Sequence, residues 1–137
     1  MTDAATEVKP PIAAAVIVQE GRVLLVRRRV SEGALSWQFP AGAVESGETR
    51  EDAAVRESAE ETGLTVRVLR LLGERVHPAT GRTMSYTACE VVEGDASVVD
   101  DEELDAVEWL AHKQLTEYVP YGFYEPVQAY LDKTLKR

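Results

Sequence analysis

A single cysteine, Cys89, in 137 residues leaves no intramolecular disulfide to hold this chain, and its place in an apolar run marks a small packing residue, not a nucleophile. A reducing compartment suits such a chain. Histidine is almost as scarce: His77 and His112 stand far apart, and each is expected at the surface. No apolar run is long enough to span a bilayer, the longest near the start being "IAAAVIV", and the first residues carry acids where a secretory leader would be basic. The expectation is a cytoplasmic protein that engages no membrane. Positive charge is in deficit, with 15 basic against 24 acidic side chains and a net charge of −9. That deficit argues against broad electrostatic binding to nucleic acid or anionic lipid, and a phosphate would need local arginines or a metal ion. Repeats and low-complexity tracts are also missing. What remains is one domain over residues 11–137, long enough to bury a sizeable core, behind a frayed segment at 1–10.

Residues 12–19 and 22–28, "IAAAVIVQ" and "RVLLVRR", read as strands joined by the two-residue turn Glu20-Gly21. "RRVSEGALS" reads as a loop, and "WQFPAG" as a short extended piece, because Pro40 forces Phe39 toward β geometry. The period turns helical from Thr49, an N-cap with acids in the first turn behind it, and Gly63 ends the helix. "LTVRVLRLLGERV" and "TMSYTACEVV" read as two strands around the turn "HPATGR". An acidic loop, "EGDASVVDDEELD", leads to a last strand at "AVEWL". The closing stretch, "GFYEPVQAYLDKTLKR", has Val127, Tyr130, Leu131 and Leu135 at helical spacing. One helix between strands in mid-chain implies a mixed sheet sandwiched by helices.

The mid-chain helix is crowded with like charges, and at about 100° per residue Glu60 and Glu61 lie at roughly −60° and +40° from Glu57, so all three share a face. Ala53 and Ala54 leave that face clear, and Val55, Ala59 and Thr62 fall on the opposite side, where the core is expected. Three carboxylates on one clear face suit a hard divalent cation, which relieves their repulsion. Arg56 borders them and can pair with Glu60 at i+4.

"G42-x5-E48-x7-R56-E57-S58-x-E60-E61-x-G63-L64" resembles the signature of the Nudix hydrolases over residues 42–64. It departs only at Ser58, where that family has an aliphatic residue. "WQFPAG" before the motif, "RVLLVRR", and the acidic loop leading into "EWL" are similar to the family's arrangement as well. The resemblance implies an α/β/α sandwich with a mixed sheet and a loop–helix–loop catalytic motif. It implies an enzyme that hydrolyses a pyrophosphate bond of a nucleoside triphosphate or related nucleoside diphosphate derivative by water attack at phosphorus, with Mg2+ or Mn2+ as cofactor. ADP-ribose and dinucleoside polyphosphates are alternative substrates, and a non-catalytic nucleotide sensor is the alternative of another class. The family also admits homodimers.

Carried onto this sequence, the resemblance makes Glu57, Glu60 and Glu61 metal ligands together with the carbonyl of Ala41. Arg56 orients a glutamate, Glu48 braces the loop–helix junction, and Gly42 and Gly47 let the backbone turn beside the phosphates. Glu57 is the first candidate for general base. Glu103, six residues before Trp109, is the candidate for a further ligand or base from the distal loop. Arg28 is the candidate phosphate contact; strand alternation puts Arg27 and Arg29 on its other face. Trp37 is a candidate base-stacking residue and Phe39 a core residue. Tyr121, Phe123 and Tyr124 are candidates for the base pocket. Tyr124 stands before Glu125-Pro126-Val127 where members acting on oxidised purines often have asparagine, which weighs against that substrate.

Overall fold

A computed structural model describes residues 9–32 and 35–137, with side chains for all of these except 30–32 and 35. Most of the segment expected to fray, residues 1–8, lies outside the described residues. Seven strands, β1 (Ile12–Gln19), β2 (Arg22–Glu32), β3 (Leu35–Gln38), β4 (Ala41–Ala43), β5 (Thr65–Val76), β6 (Thr83–Glu93) and β7 (Leu104–Leu110), join in one mixed sheet. The helices are α1 (Arg50–Thr62), α2 (Leu115–Tyr118) and α3 (Glu125–Thr134), with a 3-10 turn at His112–Gln114. Strands run β3-β2-β1-β6-β5, β4 adding to β1 and β7 to β2. Among the described residues only β1 and β6 pair in parallel. Among the described residues no helix is long and apolar enough to cross a membrane.

The alternation in β1 creates the layers. Ala13, Ala15 and Ile17 pack with Ala53 and Ala54 of α1, whereas Ala14 and Val16 face Val127, Leu131 and Leu135 at the other helix. Helices therefore cover both faces of the sheet, as the expected sandwich requires. Burial of Val127 and Leu131, both fully enclosed, stabilises α3 by about 1.5–3 kcal/mol per side chain. The turn between β1 and β2 has positive φ at Glu20 (52°) and Gly21 (76°), as a primed hairpin turn demands. Thr49 accepts the Asp52 N–H at 3.0 Å, and Gly63 at φ 79° closes α1 by donating to the Ala59 carbonyl.

Three expectations are corrected. The stretch "RRVSEGALS" is not simply a loop: β2 continues to Glu32 and β3 begins at Leu35, residues 33–34 lying outside the described residues. Exposed arginines sustain the strand, since Arg27 bonds Asp105 at 2.6 Å and Arg29 the Asp101 carbonyl. The buried side of α1 is Ala53, Ala54, Ser58, Glu61 and Thr62, while Ala59 is exposed and Val55 only partly covered. Ala53 and Ala54 are small because α1 lies close on the alanines of β1, not to clear a path for a ligand. Ser58, fully buried where the motif has an aliphatic residue, satisfies its hydroxyl by donating to the Ala54 carbonyl at 2.8 Å.

Candidate active site

Close approach of α1 to the sheet brings the glutamates of the helix against β4. Glu61, only 4% exposed, sits at the helix–sheet seam: Arg28 of β2 donates to its Oε2 at 3.0 Å and the Ala41 N–H to its Oε1 at 3.3 Å. Arg28 also donates to the Ala41 carbonyl at 3.1 Å. The candidate phosphate contact is therefore the direct partner of one candidate metal ligand and of the carbonyl expected beside it. Burial pushes the Glu61 carboxyl up to about 7, against the pull of Arg28.

Arg56 gathers the other carboxylates. Its Nε and Nη2 hold both oxygens of Glu48 at 2.8 and 3.0 Å, Nη1 reaches Glu57 at 3.0 Å and Glu60 at 3.1 Å, and Nη2 donates to the Ala43 carbonyl. One guanidinium thus joins the loop, the helix and β4. The bidentate pair with Arg56, together with the Glu45 N–H, draws the Glu48 carboxyl down to about 2. Glu57 shifts the other way, because burial outweighs its bond to Arg56. Glu60 is the most exposed of the three, with 57% of its side chain open to solvent.

Gly42 is where backbone and carboxylate meet. A Cβ there would stand 2.1 Å from Oε2 of Glu57. Since the obstacle is the end of a flexible side chain, Gly42→Ala is expected to swing the carboxylate aside with a stability cost of only about 1 kcal/mol, while the hydrolysis that the resemblance implies falls at least tenfold. Melting temperature and turnover measured together check this, and an unimpaired rate would contradict it. Gly47 differs: it has φ 81° and is a turn glycine away from the cavity.

These elements open on a cavity of about 580 Å3, within the usual range for small-molecule sites. Glu57, Glu60, Glu61, Ala41 and Gly42 form one side, with Asp100 and Glu103 of the distal loop. Arg28, Trp37 and Tyr124 also line it, whereas Arg56 and its partner Glu48 are not in the lining. Trp37 lies 5.0 Å edge-on to Tyr118, with the Arg27 guanidinium over its ring. Phe39 is buried and packs on Phe123. Tyr121 is 68% exposed and not in the lining, which corrects its place among base-pocket candidates. His77 is partly buried and lines the cavity. His112 is partly buried and bonds Asp132 at 2.8 Å. Cys89 is fully buried, its thiol pushed up to about 12.

Sequence reasoning missed Arg75, Arg82, Met84 and Tyr86, which complete the far wall. Alternation along "TMSYT" was the available signal for Met84 and Tyr86 sharing a face. Which face that is depends on the β1–β6 pairing, invisible locally.

The donors on the acidic side are all hard oxygens on a partly desolvated wall, which fits a divalent cation such as Mg2+ or Mn2+. Among the described residues no three acidic or metal-binding side chains are already drawn into one ligand cluster; Arg28 and Arg56 engage them.

Residues 9–130 match the NUDIX domain. The chain belongs to the Nudix hydrolase family. The Nudix chain is 45% identical over 67 residues, 49% of its length and 43% of the relative's, to the oxidized purine nucleoside triphosphate hydrolase of Danio rerio. Its fold matches the crystal structure of a MutT NUDIX hydrolase from Burkholderia pseudomallei with TM-score 0.67 at 26% identity, covering 93% of this chain and 98% of that one. A NUDIX hydrolase from Nitrosomonas europaea shares the fold with TM-score 0.74 at 21% identity, over 93% of this chain and 72% of that one. The Nudix chain spans 29% to 42% of the length of the curated relatives that it matches over most of its own length.

Proposed function

We propose that this Nudix chain hydrolyses a pyrophosphate bond in a nucleoside triphosphate or related nucleoside diphosphate derivative, by water attack at phosphorus and with Mg2+ or Mn2+ as cofactor. The observation that carries the reading is the convergence of Glu57, Glu60 and Glu61 with Ala41 and Gly42 on one wall of a nucleotide-sized cavity. Those three carboxylates and the Ala41 carbonyl would hold the cation. When bound, the cation supplies positive charge to the phosphate oxygens as charge develops on them.

The protein's own groups do the rest. Glu57, whose carboxylate meets Gly42 at the cavity wall, takes the proton of the attacking water. Arg56 keeps that carboxylate oriented through Nη1 while Glu48 fixes the guanidinium. Arg28, tied to Glu61 and the Ala41 carbonyl, places a positive charge at the edge where phosphate oxygens enter. Trp37 and Tyr124 wall the remainder of the substrate.

Glu103 contributes a further carboxylate from the distal loop. Its backbone is fixed on both sides, by its N–H to Asp100 at 3.3 Å and by its carbonyl to the Arg29 N–H at 2.9 Å. Among the described residues its side chain has no ion-pair partner. Glu103→Gln is expected to lower turnover roughly tenfold or more with little change in melting temperature, and an unchanged rate removes it from the mechanism. The proposal as a whole is tested by phosphate and pyrophosphate release from a panel of nucleoside triphosphates, ADP-ribose and dinucleoside polyphosphates, with and without Mg2+ or Mn2+. Metal-dependent release is expected, and its absence across the panel would leave a nucleotide-binding domain without this chemistry.

A further inference from the structure

The end of the cavity remote from α1 is basic. Arg75, next to last in β5, and Arg82, just before β6, both line it together with Thr80 of the turn between them. In the sheet Arg27 is engaged by Asp105, Arg28 by Glu61 and Arg67 by Glu90, and Arg50 of α1 is engaged by Glu74; Arg22, Arg29 and Arg70 have no such acid among the described residues, but none of those three lines the cavity. Among the described residues neither Arg75 nor Arg82 has a carboxylate within ion-pair distance, in a chain of net charge −9.

Uncharged groups hold the pair instead. The Arg75 guanidinium lies 5.0 Å from the Tyr124 ring centre and 5.8 Å from that of Tyr86, and its Nε donates to the Tyr86 hydroxyl at 3.3 Å. Tyr124 is anchored in turn by donating to the Glu74 carbonyl at 3.1 Å. With one face laid on tyrosines and Nε used, the two Nη nitrogens of Arg75 retain their donors, a fork that matches two oxygens of a phosphate. Arg82 donates from Nη2 to the Pro10 carbonyl, and its Nε is shut off from water with no hydrogen-bond partner. An atom closed to water is closed to a phosphate oxygen as well, which leaves Nη1 as the Arg82 nitrogen whose donors carry no bond among the described residues.

Strand register sets the separation from the acidic wall. Ala43, Ile12, Met84 and Arg75 form one row across β4, β1, β6 and β5. Three strand spacings of about 4.8 Å place Arg75 about 14 Å from β4, a span that a diphosphate joined to a nucleoside or sugar can bridge. Resting on the proposed hydrolysis, we infer that Arg75 and Arg82 form an anion subsite, so that the substrate carries a second phosphate, a monoester, on the moiety beyond its diphosphate.

Calorimetric titration with matched ligands that contain no pyrophosphate tests this: adenosine 5′-monophosphate against adenosine 3′,5′-bisphosphate, and the guanosine pair, each with Mg2+ at low salt. The second phosphate is expected to tighten binding at least tenfold. Arg75→Met with Arg82→Met should erase that gain, and Arg75→Lys with Arg82→Lys, a variant whose fold is checked by circular dichroism, should retain part of it. Equal affinities within each pair, no binding of any of the four, or a gain that survives the double methionine variant would overturn the inference. A preference for guanosine with no gain from the second phosphate would also overturn it, marking recognition of a base edge. Hydrolysis of the nucleotide panel without a bisphosphate gain removes only the subsite. A bisphosphate gain without metal-dependent hydrolysis removes the proposed reaction and leaves the subsite standing.

Discussion

Glu57→Gln is expected to lower metal-dependent pyrophosphate hydrolysis by roughly 10²–10⁴-fold and to leave the protein folded. The glutamate lies against Gly42 and takes a 3.0 Å bond from Arg56, with only 14% of its side chain exposed. Glutamine has nearly the same shape and still offers that oxygen to the guanidinium, so the loop–helix junction keeps its geometry. What it lacks is the negative charge and the basic lone pair. Two consequences separate this role from a structural one. Binding of Mn2+ should weaken in the variant, and a single-turnover rate should fall by the same factor as kcat, because the loss is in chemistry and not in product release. A wild-type single-turnover rate would take Glu57 out of the reaction.

The loss should also depend on Arg56, since Arg56 ties Glu57 to Glu48 and to the Ala43 carbonyl as one unit. Effects within such a unit do not add. The charged motif was readable in sequence because its constraints are local: a cap at Thr49, a left-handed closure at Gly63, and carboxylates separated by three and four residues. The order of elements was equally legible, since one helix between strands in mid-chain was enough to imply a mixed sheet sandwiched by helices.

The phase of α1 was not local. Its buried side carries two alanines, a serine, a threonine and a glutamate, so no apolar stripe betrays which way it faces, and the larger Val55 misled. The sheet chooses the face, through the small side chains of Ala13 and Ala15. The same holds for the far wall. Arg75 and Arg82 come to the cavity because the β5–β6 hairpin is carried there by β6 lying parallel to β1, a pairing between residues some seventy apart in the chain. The strand continuing through "RRVSE" was hidden for a related reason. Its partners Asp101 and Asp105 sit in the segment that reads as a solvated acidic loop.

Placing Glu61 on the buried side of α1 makes it the chain's clearest conflict between stability and chemistry. Its carboxyl titrates near 7 in the folded protein and near 4.5 in its ordinary state, burial being the main cause and Arg28 the main opposing one. Between those values the folded protein holds a proton that the unfolded chain has released. Stability therefore falls as pH rises through that window, by about 3 kcal/mol for this group if the whole difference is expressed. Glu61→Gln removes the titration while keeping acceptors for Arg28 and the Ala41 N–H. Without metal, the variant is expected to match wild type near pH 4.5 and to exceed it at pH 8 by on the order of 3 kcal/mol, a difference in which the attraction to Arg28 is already included. Mg2+ should narrow the gap at pH 8 by stabilising the ionised wild type, an effect that Glu61→Gln forfeits along with most of its hydrolysis. Urea unfolding midpoints at the two pH values, with and without Mg2+, measure each part. Identical midpoints for variant and wild type at pH 8 without metal would mean that the charge on Glu61 is already fully compensated by Arg28, and that no cation is needed to keep it there.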